Sequence, residues 1–174
     1  MRPETKYGLS VFLISAIWKT GLFAFNARDT FFGQYSVIMV MLFMLIGIFL
    51  GVEELRNQSP NKKIVFINGF KTGMSIAALH TVLYSLFLYA YYAYIDTTFF
   101  VEMIEARVSE FRMAGNSEAD IEGFRQSAEV ILSPMVQSTF TLVGLLVLSA
   151  FYSGVVAKLV EKKHSNTLTQ KLKK

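Results

Sequence analysis

YSVIMVMLFMLIGIFLGV, residues 35–52, runs for 18 residues without a charged side chain. Wound as an α-helix it would be about 27 Å long, close to the roughly 30 Å of hydrocarbon in a bilayer. Backbone groups in hydrocarbon must be satisfied within their own segment, so a helix is the reading for a block of this length.

Three further blocks share that character: residues 7–25, 73–95 and 135–157. The chain has 174 residues, 53% of them hydrophobic, and the charged 17% fall mainly in the gaps between blocks. A chain this short cannot hide four such blocks in one water-surrounded core, whereas a bilayer solves the problem. The composition therefore predicts an all-α membrane protein, a single four-span domain over residues 1–174. Arg2 and Lys6 precede the first block, as in a secretory signal, but no small-x-small cleavage site follows it, which predicts a retained anchor.

The flanking cations set the direction. With four spans, both termini and the loop between spans two and three share one side. That side holds Arg2, Lys6, Arg56, Lys62, Lys63, Lys71, Lys158, Lys162, Lys163, Lys171, Lys173 and Lys174, against Lys19, Arg28, Arg107, Arg112 and Arg125 on the other. The imbalance predicts cytoplasmic termini. Nine of the 13 acids fall on the opposite side. Basic residues that flank spans, instead of forming one basic face with interleaved aromatics, exclude nucleic acid as the expected partner and leave membrane lipids.

The acids concentrate in residues 97–133, between spans three and four. There Phe100, Ile104, Val108 and Phe111 recur at helical spacing, as do Ile121, Phe124, Ala128 and Ile131. Gly115 can close one helix, and Ser117 with Asp120 three residues later can cap the next. The pattern predicts a long extracytoplasmic helical hairpin whose first arm, about 18 residues, would reach about 27 Å. Its carboxylates (Glu102, Glu105, Glu110, Glu118, Asp120, Glu122, Glu129) have no histidine beside them, so they read as a partner-facing surface before a cation site. Arg107–Glu110 and Glu122–Arg125 are spaced as i,i+3 pairs.

His80, about a third of the way into the third span, is the sharpest single residue. An ionisable side chain there is a functional hypothesis by default. Tyr84 and Tyr91 follow on the same face, and Lys19 beside Trp18 can snorkel about 9 Å to the outer interface. These four residues are the candidate intramembrane polar site. The plainer reading of His80 is a neutral imidazole bonded to a hydroxyl on another span, which fixes helix packing. The spans hold no internal acid to relay protons.

Small residues at four-residue spacing, Gly47 and Gly51, then Gly69, Gly73 and Ala77, then Ser149 and Ser153, predict close helix contacts, within the chain or with a partner. The Met-rich run of the second span is apolar filler. The apolar piece at residues 64–70 is expected at the cytoplasmic interface, where its lysines favour anionic head groups. No cysteine is present, which excludes thiolate metal sites, disulfides and thiol nucleophiles. Phosphate-binding glycine loops, nucleophile elbows and HExxH are also missing.

Three short motifs carry a resemblance: Lys6-Tyr7-Gly8 at the entry of span one, FINGFKTG at residues 66–73, and MAGNSEADIE at residues 113–122. Together they resemble a bacterial domain-of-unknown-function family of small four-helix inner-membrane proteins. The resemblance implies a multi-pass protein of the bacterial inner membrane and carries no catalytic residues. The expected role is that of a non-enzymatic accessory or assembly subunit, without a cofactor, working beside copies of itself or other membrane-protein subunits. The alternative is a small transporter or lipid-handling protein with a cavity around His80.

Overall fold

The computed structural model describes residues 1–28, 30–60 and 62–171, with side chains through Glu161. Asp29, Lys173, Lys174 and the side chains of Lys162, Lys163 and Lys171, all used in the charge comparison, lie outside the described residues. Those residues form helices and no strand: α1 (Pro3–Ala24), α2 (Phe31–Gln34), α3 (Ser36–Gln58), α4 (Phe66–Ala90), a π-helical turn (Tyr91–Ile95), α5 (Phe99–Met113), α6 (Glu118–Ile131) and α7 (Pro134–Lys171). Four stretches are long and apolar enough to cross a membrane: Pro3–Ala24, Ser36–Gln58, Phe66–Ile95 and Pro134–Glu161. Each contains or closely matches one of the four apolar blocks.

The third stretch starts well before residue 73 because its first turn finds partners. The Phe66 N–H, which has no acceptor inside its own helix, donates to Glu161 Oε1 of α7 at 3.3 Å. The interfacial piece expected at residues 64–70 is thus helical from Phe66 onward and continuous with the span. The four-residue α2 was not apparent in the sequence; Phe31 and Phe32 meet edge to face there, 5.9 Å apart.

The chain divides into two compact units, one of residues 1–84 with the described residues from 143 onward, the other Ser85–Leu142. In the first, glycines let helices approach. A Cβ on Gly47 would strike Val11 of α1, and one on Gly51 would strike Ile76 of α4. On α4, a Cβ at Gly73 would lie 2.7 Å from Ser153 Oγ of α7, and one at Gly69 would lie 3.2 Å from Ala157 Cβ. Ser149 Oγ reaches Met74 Sδ at 4.0 Å, and Ala77 is fully buried. Every small residue singled out by spacing therefore has a buried position or a close contact inside this chain. The core between these helices is Val11, Val40, Met44, Ile48, Val52, Ile76, Val156 and Val160.

In the second unit, the π-helical turn ends where the Asp96 N–H bonds Tyr91 O at 2.9 Å. The helix breaks over residues 96–98, and α5 begins at Phe99. α5 has 15 residues, shorter than the arm expected from the sequence. Gly115 adopts φ +79°, which glycine takes without a Cβ penalty, and Ser117 Oγ accepts the Asp120 N–H at 3.2 Å to cap α6. Ile104, Val108, Ile121 and Ala128 form the core of α5 against α6, with Phe111 and Phe124 edge to face at 4.8 Å. Two stripe positions differ from expectation. Phe100 packs on Tyr92, 4.6 Å between ring centroids, and Leu132 joins the core while Ile131 is exposed.

Candidate functional site

His80 is one of the fully buried polar residues of the first unit. Along α4, Ile76, Ala77, His80, Thr81 and Tyr84 are all buried, at the spacing of one helical face. Ser15 holds the corresponding place on α1, where Gly8, Val11, Ser15 and Leu22 form the buried side. The two faces meet with His80 Nε2 and Ser15 Oγ 3.3 Å apart. The imidazole also stacks on Tyr84, with ring centroids 5.5 Å apart and planes 16° from parallel.

That arrangement satisfies half of the histidine. In a neutral imidazole one ring nitrogen donates and the other accepts, so both want partners. His80 Nδ1 has none among the described residues, and neither do the hydroxyls of Thr81 and Ser153, all in the same unit. A buried polar atom without a partner carries a desolvation penalty of about 1–3 kcal/mol, and each such atom in a folded protein asks for an explanation. Each of the three is a hydrogen-bonding group buried in the core of the first unit.

The other members of the expected site fall elsewhere. Tyr91 belongs to the second unit, where its hydroxyl donates to Asp96 Oδ2 at 3.1 Å. Lys19 is half-buried on α1, one turn beyond Ser15, beside Trp18. Trp18 stands edge-on to Phe32 and Phe43, 6.2 Å from each, and borders a cavity of about 290 Å³ with Ile17, Gly21, Leu22, Phe25 and Ala27. The structure thus joins His80 to Tyr84 and adds Ser15, which the sequence reading did not select. Its signal was its place on the buried side of α1.

Asp96 was also missed as a buried group. It is 2% exposed, follows directly on the π-helical turn, and accepts from Tyr91. π-helical turns are rare and frequently sit at functional sites. In the sequence Asp96 simply follows the third apolar block.

Three of the seven acids of α5 and α6 pair with arginines of the same unit. Arg125 grips Glu105 with two guanidinium nitrogens, one of these bonds at 3.2 Å. Arg107 meets Glu110 at 2.6 Å and Arg112 meets Glu118 at 3.2 Å. The i,i+3 pairing of Glu122 with Arg125 is replaced, since Arg125 reaches across to α5 and Glu122 accepts from Gln126 at 3.1 Å. Among the described residues no group of three or more His, Cys, Asp or Glu could hold a metal ion.

Hydrogen bonding from Arg125 holds the Glu105 carboxyl below the usual carboxylate range. A depressed folded-state pKa stabilises above the unfolded value, near 4.3 for glutamate, and that contribution disappears as pH falls through the folded value. Both side chains are solvent-accessible, which keeps the effect small. Thermal unfolding from pH 6 to pH 3 should therefore show a slightly steeper acid loss in the parent than in Glu105→Gln. Identical pH profiles would show that the pair contributes nothing.

The family model described as protein of unknown function (DUF4199) matches residues 6–162. The chain belongs to that family. No curated protein and no solved structure matches it. The three motifs behind the resemblance lie inside the DUF4199 match, and each has a structural role. Lys6 and Tyr7 both donate to Glu54 Oε2 at 2.7 Å. A Cβ on Gly8 would lie 2.9 Å from Leu79. Residues 66–73 carry the close contacts of α4 to α7, and residues 113–122 make the turn between α5 and α6.

Proposed function

We propose that this member of the DUF4199 family is a four-span protein of a bacterial inner membrane, with both termini cytoplasmic and residues 97–133 folded as an extracytoplasmic helical hairpin. Its role is that of a non-catalytic accessory or assembly subunit in a larger membrane complex. The excess of Lys and Arg on the terminal side supports the orientation. The reading of the role rests on one observation. Arginines of the same unit occupy Glu105, Glu110 and Glu118, while Val101, Met103, Val130 and Ile131 stay exposed on helices that are otherwise polar. A surface where these three acids are ion-paired and apolar residues stand bare suits docking better than chemistry.

The native mass of the protein, extracted in mild detergent, should exceed that of one chain and its micelle. Val101→Glu with Val130→Glu should return it to the single-chain value without loss of helical signal. A parent that runs as one chain alone overturns the proposal.

The second reading, a small transporter or lipid-handling protein with an intramembrane cavity around His80, is favoured by a different observation. His80 Nδ1 and the Thr81 and Ser153 hydroxyls are buried without partners among the described residues. A polar ligand at His80 Nδ1 would supply the missing partner of the imidazole.

A further inference from the structure

A groove of about 370 Å³ lies where the N-terminus of α1, the C-terminal end of α3 and the start of α4 come together in the first unit. Leu55, Ile64 and Val65 give it an apolar side. Lys63, Lys71 and Asn68 bring donors, and Glu4, Ser59 and Thr72 complete the lining.

Each carboxylate of this end already accepts a hydrogen bond, Glu4 within the groove and the others outside it. Glu4 accepts from Thr72 at 3.1 Å, Glu53 from Arg56 at 2.9 Å, and Glu54 from Lys6 at 2.7 Å. Glu161 is held by Lys158 at 2.8 Å and by the Phe66 N–H. The Ser59 hydroxyl donates to Leu55 O at 3.1 Å and that of Thr72 to Glu4. Lys63 and Lys71 consequently face the groove with no carboxylate among the described residues within ion-pair distance, and both are exposed.

We infer that this groove binds the phosphodiester head group of an anionic lipid, with Lys63 and Lys71 on the phosphate and Leu55, Ile64 and Val65 against the glycerol and upper acyl carbons. Charge and shape both favour that ligand. Two lysines and one glutamate line the groove, so its fixed charge is one positive unit, matching a diester that carries one negative charge. Ammonium groups near an anionic leaflet attract its lipids, and an apolar wall beside the cations fits a molecule that is charged at one end and apolar at the other. Residues 66–73 of the family resemblance supply Asn68, Lys71 and Thr72, which gives that motif a ligand-facing edge opposite its packing glycines.

Full-length protein in lipid nanodiscs tests the assignment. Phosphatidylglycerol, titrated into a phosphatidylcholine background and followed by native mass spectrometry, should bind the parent at one saturable site. Lys63→Gln with Lys71→Gln should weaken that binding about ten- to thirty-fold. Arg2→Gln with Lys62→Gln removes the same charge from outside the groove and should change it by less than about three-fold. Unaltered thermal unfolding of both variants in pure phosphatidylcholine establishes that each is folded. Equal losses from the two pairs would reduce the effect to general surface charge and overturn the inference. So would displacement of the lipid by inorganic phosphate, which would make the ligand a free anion.

Discussion

Leucine in place of Gly73 should destabilise the protein by about 3 kcal/mol, the larger part of it from a collision that begins at the first added carbon. A Cβ at this position would lie 2.7 Å from Ser153 Oγ, 2.9 Å from Ser153 Cβ and 3.1 Å from Ile48 Cγ2. None of these is the loose end of a long side chain. Ser153 Cβ moves only with α7, and Ile48 is fully buried, so the helices must separate. Close-packed interiors resist such movement. Gly47 and Gly51 present a softer case, since the atoms they would strike are ends of Val11 and Ile76. Thermal unfolding in detergent should rank Gly73→Leu below Gly73→Ala, and both below the parent. Removing the obstacle should relieve the smaller change: Gly73→Ala with Ser153→Gly should recover more than half of the loss, as contacting residues couple. A Gly73→Leu protein as stable as the parent would mean that α4 and α7 are not in contact there.

Position 73 was legible in the sequence as one of a four-residue series, because small residues at that period are a local, composition-level signal. The same holds for the four helices long and apolar enough to cross a membrane, each a long apolar run, and for the cap of α6, where Ser117 and Asp120 are three residues apart. What the sequence hid depends on distant partners. Helix α4 begins at Phe66 because Glu161, 95 residues away, accepts its first N–H. Arg125 was visible beside Glu122, yet it pairs with Glu105, 20 residues back, once α5 and α6 pack. The exchange of Ile131 for Leu132 in that core has a related cause, since residue 131 ends the helix and the facing direction changes there.

The candidate site follows the same division. His80 stood out because an ionisable residue in an apolar run is conspicuous. Its partner did not, since Ser15 is one of several hydroxyl residues in α1 and only the crossing of α1 and α4 selects it. Asp96 lay in plain sight at the edge of the third span, but its burial comes from the π-helical turn before it. A turn with one extra residue rotates everything that follows, which periodicity alone does not reveal.

The plainer and the functional readings of His80 predict different outcomes for two substitutions. Alanine removes a buried ring that stacks on Tyr84 and leaves a void, a change that costs about 3 kcal/mol when no relaxation fills it. Leucine keeps most of the volume and removes the half-satisfied nitrogen. Ser15, left behind, can turn its hydroxyl to a carbonyl of its own helix, so His80→Leu should cost no more than about 1 kcal/mol. His80→Ala should therefore unfold at a clearly lower temperature than His80→Leu in detergent. That order would show that the imidazole nitrogens give the fold little and would favour the cavity reading proposed above. Loss of stability in His80→Leu equal to that in His80→Ala would instead assign the imidazole to packing through its hydrogen bond with Ser15.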